Sequence, residues 1–196
     1  MKYAVLLLAF SFFFQIESLL AQKFNGVECG KPLNETVAAF LAKGFVKEQL
    51  DPKDPSSVKI VGYVNGVKHE VIVLASKKTK IAWKFAIFLP EKSTWSSSKT
   101  EFLKYKEIYI KKYGEPKSDY NFFSSPYEEG DGSEMLALKN NKCTYSCFFE
   151  DEVGNELFIE LVSITYGKAQ VVLHYQNKIA CKLKNEENSE IEQDTY

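Results

Sequence analysis

Residues 58–89, VKIVGYVNGVKHEVIVLASKKTKIAWKFAIFL, decide the fold. Val58, Ile60 and Val64 alternate with Lys59 and Tyr63, the two-residue period of a half-buried strand. Asn65-Gly66 then carries a strong hairpin signal, because both residues accept the positive φ that a type I′ turn demands. Residues 67–75 return as a second strand, Ser76-Lys77-Lys78 turns, and residues 79–89 make a third. In that third run Ile81, Trp83, Phe85, Ile87 and Leu89 share one face, while Ala82, Lys84, Ala86 and Phe88 share the other. An antiparallel meander buried on one side satisfies the pattern.

Such a buried face needs a roof, and the flanking segments supply helices. Upstream, Asn34 is a good N-cap, Val37, Phe40 and Leu41 follow at helical spacing, and Gly44 stands at the C-terminal cap. The spacing predicts a helix over 34–43. Asn34-Glu35-Thr36 also matches a glycosylation acceptor, but capping is its plainer use. Residues 51–56, DPKDPS, form a turn-rich break. Downstream, Ser98-Lys99-Thr100-Glu101 reads as a capping box, with Thr94 an alternative start. Phe102, Tyr105, Tyr109 and Tyr113 then run along one stripe to Gly114 and Pro116, a core-facing pattern.

Residues 120–127 read as aromatic and irregular, and residues 128–133 as an acidic loop. Four strand-like runs follow, at 134–139, 142–149, 156–164 and 168–175. The expected fold is α+β, with tandem units of a helix plus an antiparallel four-stranded meander and the helices on one face of the sheet. One domain spans 22–181, in repeat-like halves at about 30–90 and 91–176. Residues 182–196 are charged and nearly without apolar side chains, so a disordered tail is expected there.

The N-terminus and composition bound the compartment. Lys2, the uncharged run at 3–16 and the small residue Ala21 give residues 1–21 the three parts of a secretory signal peptide. The run falls short of the ~20 residues a membrane span needs, and Glu17 closes it, so no membrane anchor is expected. Location in the periplasm or outside the cell follows. Acids (26) and bases (25) nearly cancel, and every base is Lys. Without the bidentate fork of Arg, and without net positive charge, nucleic-acid binding is not expected.

Four cysteines remain after signal removal: Cys29, Cys143, Cys147 and Cys181. In an exported protein these are disulfide candidates. If 142–149 is a strand, Cys143 and Cys147 lie ~13 Å apart and cannot bond to each other. Two complete pairings are left: 29–143 with 147–181, or 29–147 with 143–181. Buried free thiols are the alternative, since Cys packs as a small hydrophobe.

Catalytic patterns are sparse. His69-Glu70 lacks the second His of a metalloprotease helix, with Val73 in its place. His69 and His174 both read as sheet-surface histidines. The acidic loop lacks the alternating ligands of a calcium site. No catalytic residue, cofactor or metal is assigned.

Gly30-Lys31-Pro32-Leu33 before a helix ending Ala42-Lys43-Gly44-Phe45, Lys112-Tyr113-Gly114-Glu115-Pro116, and Tyr127-Glu128-Glu129-Gly130-Asp131-Gly132 carry a family resemblance. In these segments the chain resembles secreted proteins of gut Bacteroidetes that have no assigned activity. Their helix-plus-four-strand tandem is similar to the β-lactamase inhibitor protein fold. The resemblance implies a sheet with one face free for a partner, and it carries over no contact residue.

The expected function is a non-enzymatic exported binding module for a protein, peptide or envelope component. Alternation puts Phe88, Phe148 and Phe158 on the sheet face away from the helices, among Thr144, Ser146 and Glu160. The competing readings are a periplasmic hydrolase and an envelope assembly factor.

Overall fold

The computed structural model describes residues 23–48, 50, 54–165 and 167–195; the expected signal peptide lies outside the described residues. A small ladder, β1 (Lys23–Phe24) and β2 (Val27–Glu28), leads into helix α1 (Leu33–Leu41). Strands β3 (Val46–Glu48), β4 (Ser57–Val64), β5 (Val67–Ala75) and β6 (Ala82–Phe88) follow. Helix α2 (Trp95–Tyr113) opens the second half, with β7 (Ser118–Phe123), α3 (Glu134–Lys139), β8 (Cys143–Glu150), β9 (Glu156–Thr165) and β10 (Lys168–Gln176). Helix α4 (Lys178–Thr195) closes the chain.

Strands β3 to β10 form one eight-stranded antiparallel sheet in the order β3-β4-β5-β6-β10-β9-β8-β7. Each half is thus a helix followed by a four-stranded meander, and the halves join where β6 pairs with β10. The fold is α+β. The Asn65-Gly66 turn forms with φ of 51° and 76°, and β4 pairs β5 from Val64↔Val67 outward.

Val71 and Val73 of β5, Phe85 and Ile87 of β6, and Leu157, Ile159 and Leu161 of β9 point inward and build the core with the helices. A register shift near Ala75 puts Ala82 rather than Trp83 in that core. Phe40 of α1 is fully buried, packing edge-on against Phe45 at 5.3 Å and Phe85 at 5.6 Å. A Cβ on Gly62 would lie 2.4 Å from the Phe45 ring, so only glycine lets that ring settle on β4. In the second half, Phe102 and Tyr109 of α2 meet Tyr145, Phe149 and Tyr175. The buried Tyr109 hydroxyl donates to that of Tyr175 at 2.8 Å, which satisfies both inside the core.

Several local expectations are corrected. Residues 134–139 are helix α3, because Glu, Met, Leu, Ala and Lys are strong helix formers and only Ala137 and Leu138 need burial. The fourth strand of that half is instead β7, which overlaps the stretch 120–127 expected to be irregular. The first half gains the short edge strand β3. Helix α1 begins one residue early, with Pro32 at its N-cap in place of Asn34. For α2 the cap is Thr94, whose hydroxyl accepts from Ser97 N–H at 3.2 Å. Ser98 is then a buried helical residue and Glu101 pairs with Lys92 at 3.2 Å.

Residues 182–195, expected to be disordered, continue helix α4. The polar helix is held by contacts that are distant in sequence. Glu187 is 7% exposed and accepts from the N–H groups of Lys78 (2.8 Å) and Thr79 (3.0 Å) and from the Thr79 hydroxyl (2.6 Å). One turn earlier, Lys184 Nζ lies 5.0 Å over the Trp83 ring. Among the described residues, no helix is long and apolar enough to cross a membrane.

Candidate functional site on the open sheet face

On the face away from α1 and α2, one row of side chains crosses all eight strands. Cα register links Glu48, Lys59, Ile72, Ala86, His174, Phe158, Phe148 and Ser118 in turn. Direct cross-strand neighbours on one face stand within reach of each other, so rings in this row stack. Phe158 lies 5.1 Å from Phe148 at 20° and 4.0 Å from the His174 ring at 11°. Tyr120, on the next row of the edge strand, meets Phe148 edge-on at 6.1 Å. Exposure rises toward that edge: Phe148 is 36%, Tyr120 45% and Phe122 48% exposed.

The stack decides what the surface offers. Both faces of Phe158 are spent on its neighbours, and Lys84 Nζ stands 4.8 Å from its centroid. Ring edges therefore point outward and carry the positive rim of the aromatic quadrupole. A flat platform for stacking a sugar ring is not what this arrangement presents.

Beside the rings, on the same face, lies a polar pair. His174 Nε2 and Glu160 Oε1 are 2.7 Å apart, and with Nε2–H as donor to the carboxylate, Nδ1 is left as a buried nitrogen without a partner. Burial holds the His174 pKa below 6.5, and the Lys84 charge adds to this against the pull of Glu160. The bond from His174, helped by Lys84, keeps the Glu160 carboxyl below its usual range despite burial. Neither imidazole nitrogen is offered to solvent: one is bonded to Glu160 and the other is sealed.

Next to Glu160 the sheet opens. The β8–β9 register ends at Ser146↔Glu160, and a cleft of about 480 Å³ follows, walled by Thr144, Ser146, Glu160 and Val162 with Leu138 of α3. Of the three phenylalanines expected here, Phe148 and Phe158 come together in the stack. Phe88 shares their face, but its register partners are Glu70 and Val172, and it lines a separate cavity of about 520 Å³ with Lys59 and Pro90. Tyr120 and Phe122 were missed because β7 was read as irregular. His174, expected at the sheet surface, is instead 6% exposed, and nothing in the sequence revealed its stack. His69, expected at the surface, is buried on the helix side, with Nδ1 2.8 Å from Val67 O.

Cys29, Cys143, Cys147 and Cys181 are free thiols in this structure. The pairings of Cys29 with Cys143 or Cys147 do not fit the geometry. Cys29 Sγ sits 3.6 Å from Ala82 O, by β6 and β10, whereas β8 is two strands beyond β10, ~10 Å away. Cys143 and Cys147 lie on the inner face of β8, and burial lifts their thiols to about 12 and about 11. Cys29 is likewise pushed up to about 12 by burial. These are packing residues and poor nucleophiles at neutral pH.

The acidic loop is internally satisfied. Glu129 pairs with Lys99, and Asp131 accepts from the N–H groups of Glu128 (3.0 Å) and Ser133 (2.7 Å). No group of three or more metal-ligating side chains converges among the described residues.

Fold and site together define an α+β protein with an aromatic stack on the sheet face away from α1 and α2. Compared with family models, curated proteins and solved structures, the chain matches none.

Proposed function

We propose that this chain is an exported, non-enzymatic binding module that recognises a protein or peptide partner through the open sheet face. The reading rests chiefly on the Tyr120–Phe148–Phe158–His174 stack, which becomes exposed toward the β7 edge. Aromatic residues, rimmed here by Thr144, Ser146 and Lys84, are what protein interfaces favour. Outward ring edges suit carbonyl oxygens and partner ring faces, both of which a polypeptide supplies. The adjoining cleft beside Glu160 gives a protruding loop a place to enter. The resemblance to the β-lactamase inhibitor protein fold supports the same side of the sheet.

A hydrolase reading would use the His174–Glu160 pair as base and orienter, yet neither ring nitrogen faces solvent. The binding reading is therefore preferred. The test is capture from envelope extract with the immobilised protein and two variants. Phe148→Glu is expected to abolish capture of the specific species, while Ile108→Glu, on the exposed side of α2, retains it. Equal capture by wild type and Phe148→Glu would overturn the open-face reading.

A further inference from the structure

The two edges of the sheet are not alike. Strand β3 is three residues long and ends the sheet with Lys47 and Glu48, the short charged edge that discourages pairing. Strand β7 is six residues, SDYNFF, with Asp119 its one charge and no proline or lysine inside it. No described strand covers its outer side. Asp119 is itself turned to the helix side, paired with Lys106 and accepting from Asn121 Nδ2 at 2.9 Å. On the open side, Tyr120 and Phe122 stand about half exposed.

The ladder sets which backbone groups are free. Ser124 N–H donates to Lys142 O at 2.7 Å, in line with the register Phe122↔Thr144 and Tyr120↔Ser146. Hydrogen-bonded pairs alternate in an antiparallel ladder, so the even-numbered residues of β7 bond to β8. The N–H and C=O groups of Asp119, Asn121 and Phe123 therefore face outward. Alternating donors and acceptors at strand spacing are matched by another strand.

We infer that β7 pairs with β7 of a second copy of this chain, antiparallel, with Asn121 on the two-fold axis. In that register Asn121 faces Asn121 of the copy, Asp119 faces Phe123, and Tyr120 faces Phe122, each relation occurring twice or on the axis. The two Tyr120–Phe122 pairs fall at the close, non-hydrogen-bonded positions, where aromatic pairs contribute most. Shifting the register by one step sets Tyr120 against its own copy and Ser118 against Phe122, leaving one aromatic pair in place of two. A net charge of −1 gives the copies little reason to repel. The result is a continuous sheet across two chains, in which both aromatic stacks lie on one side. This inference goes beyond the binding reading, and neither depends on the other.

Sedimentation equilibrium of the purified chain is expected to show reversible dimers. Asn121→Pro removes an outward N–H and leaves the β8 ladder intact, so the monomer keeps its circular dichroism and melting temperature. Two ladder hydrogen bonds vanish at the axis, and dimer dissociation is expected to strengthen by about thirtyfold. Phe122→Glu, at a half-exposed side chain, gives a comparable loss and serves if the proline variant fails to fold. Val46→Glu on the opposite edge leaves association unchanged. A chain that stays monomeric at every concentration, or dimers indifferent to both Asn121→Pro and Phe122→Glu, would overturn the inference.

Discussion

On the open side of β4 and β5, Lys59 bridges Glu48 at 3.2 Å and Glu70 at 2.9 Å, while Lys68 reaches Glu70 at 3.9 Å. On the same side of β7, β8 and β9 stand Tyr120, Phe148 and Phe158, stacked or edge-on. These belong to halves with the same order of helix and four strands, joined through β6 and β10. One row even runs from Glu48 and Lys59 to Phe158 and Phe148, with Ile72, Ala86 and His174 between. The backbone plan constrains only the inward row. Outward side chains are free to diverge, and here one half takes a salt-bridged surface and the other an aromatic one.

The largest effect tests whether the halves share a core despite their different surfaces. Phe40→Ala in the first half and Phe102→Ala in the second each delete a fully buried ring, and each is expected to cost about 3–5 kcal/mol. Both should lower one cooperative transition in urea, read by fluorescence. Two separate transitions would mean that β6 and β10 join independent units.

A smaller effect tests the aromatic stack. Phe158→Ala removes the ring between Phe148 and His174, at a cost of about 1–3 kcal/mol for a half-buried side chain. It also lets water reach His174, so the imidazole pKa should rise toward 6.5, as followed by NMR titration. The wild-type sign is fixed by the lowered value. Neutral His174 favours the folded state fully above pH 6.5, and this contribution is lost as pH falls through the depressed folded pKa. The variant should show a weaker stability loss across that acid window.

The smallest effect belongs to the charged half. Lys59→Met breaks both bridges yet keeps the aliphatic stem, and should change stability by about 1 kcal/mol or less. A cost approaching that of Phe158→Ala would show that the ion pairs are more than surface dressing.

The meander was legible because its cause is local: alternation in 58–89 and an Asn-Gly turn dictate strand faces before any tertiary contact exists. The α2 stripe was legible for the same reason. Residues 134–139 misled because a short apolar run satisfies either period, and β7 was missed because its six residues alternate only weakly. Helix α4 was invisible, since its sequence lacks an apolar stripe and its order comes from Glu187 meeting a turn 108 residues away. The paired cysteines were assigned from compartment, and strand order alone separates them.

What the amino-acid sequence determined here is the set of elements whose hydrophobic period is strong, together with the parity that turns Phe148 and Phe158 outward. Tertiary structure alone decided which outward residues are neighbours, because strand order and register bring His174 against Phe158 across 16 residues of chain and leave β7 at an edge. Alternation is a property of one strand, whereas adjacency is a property of two.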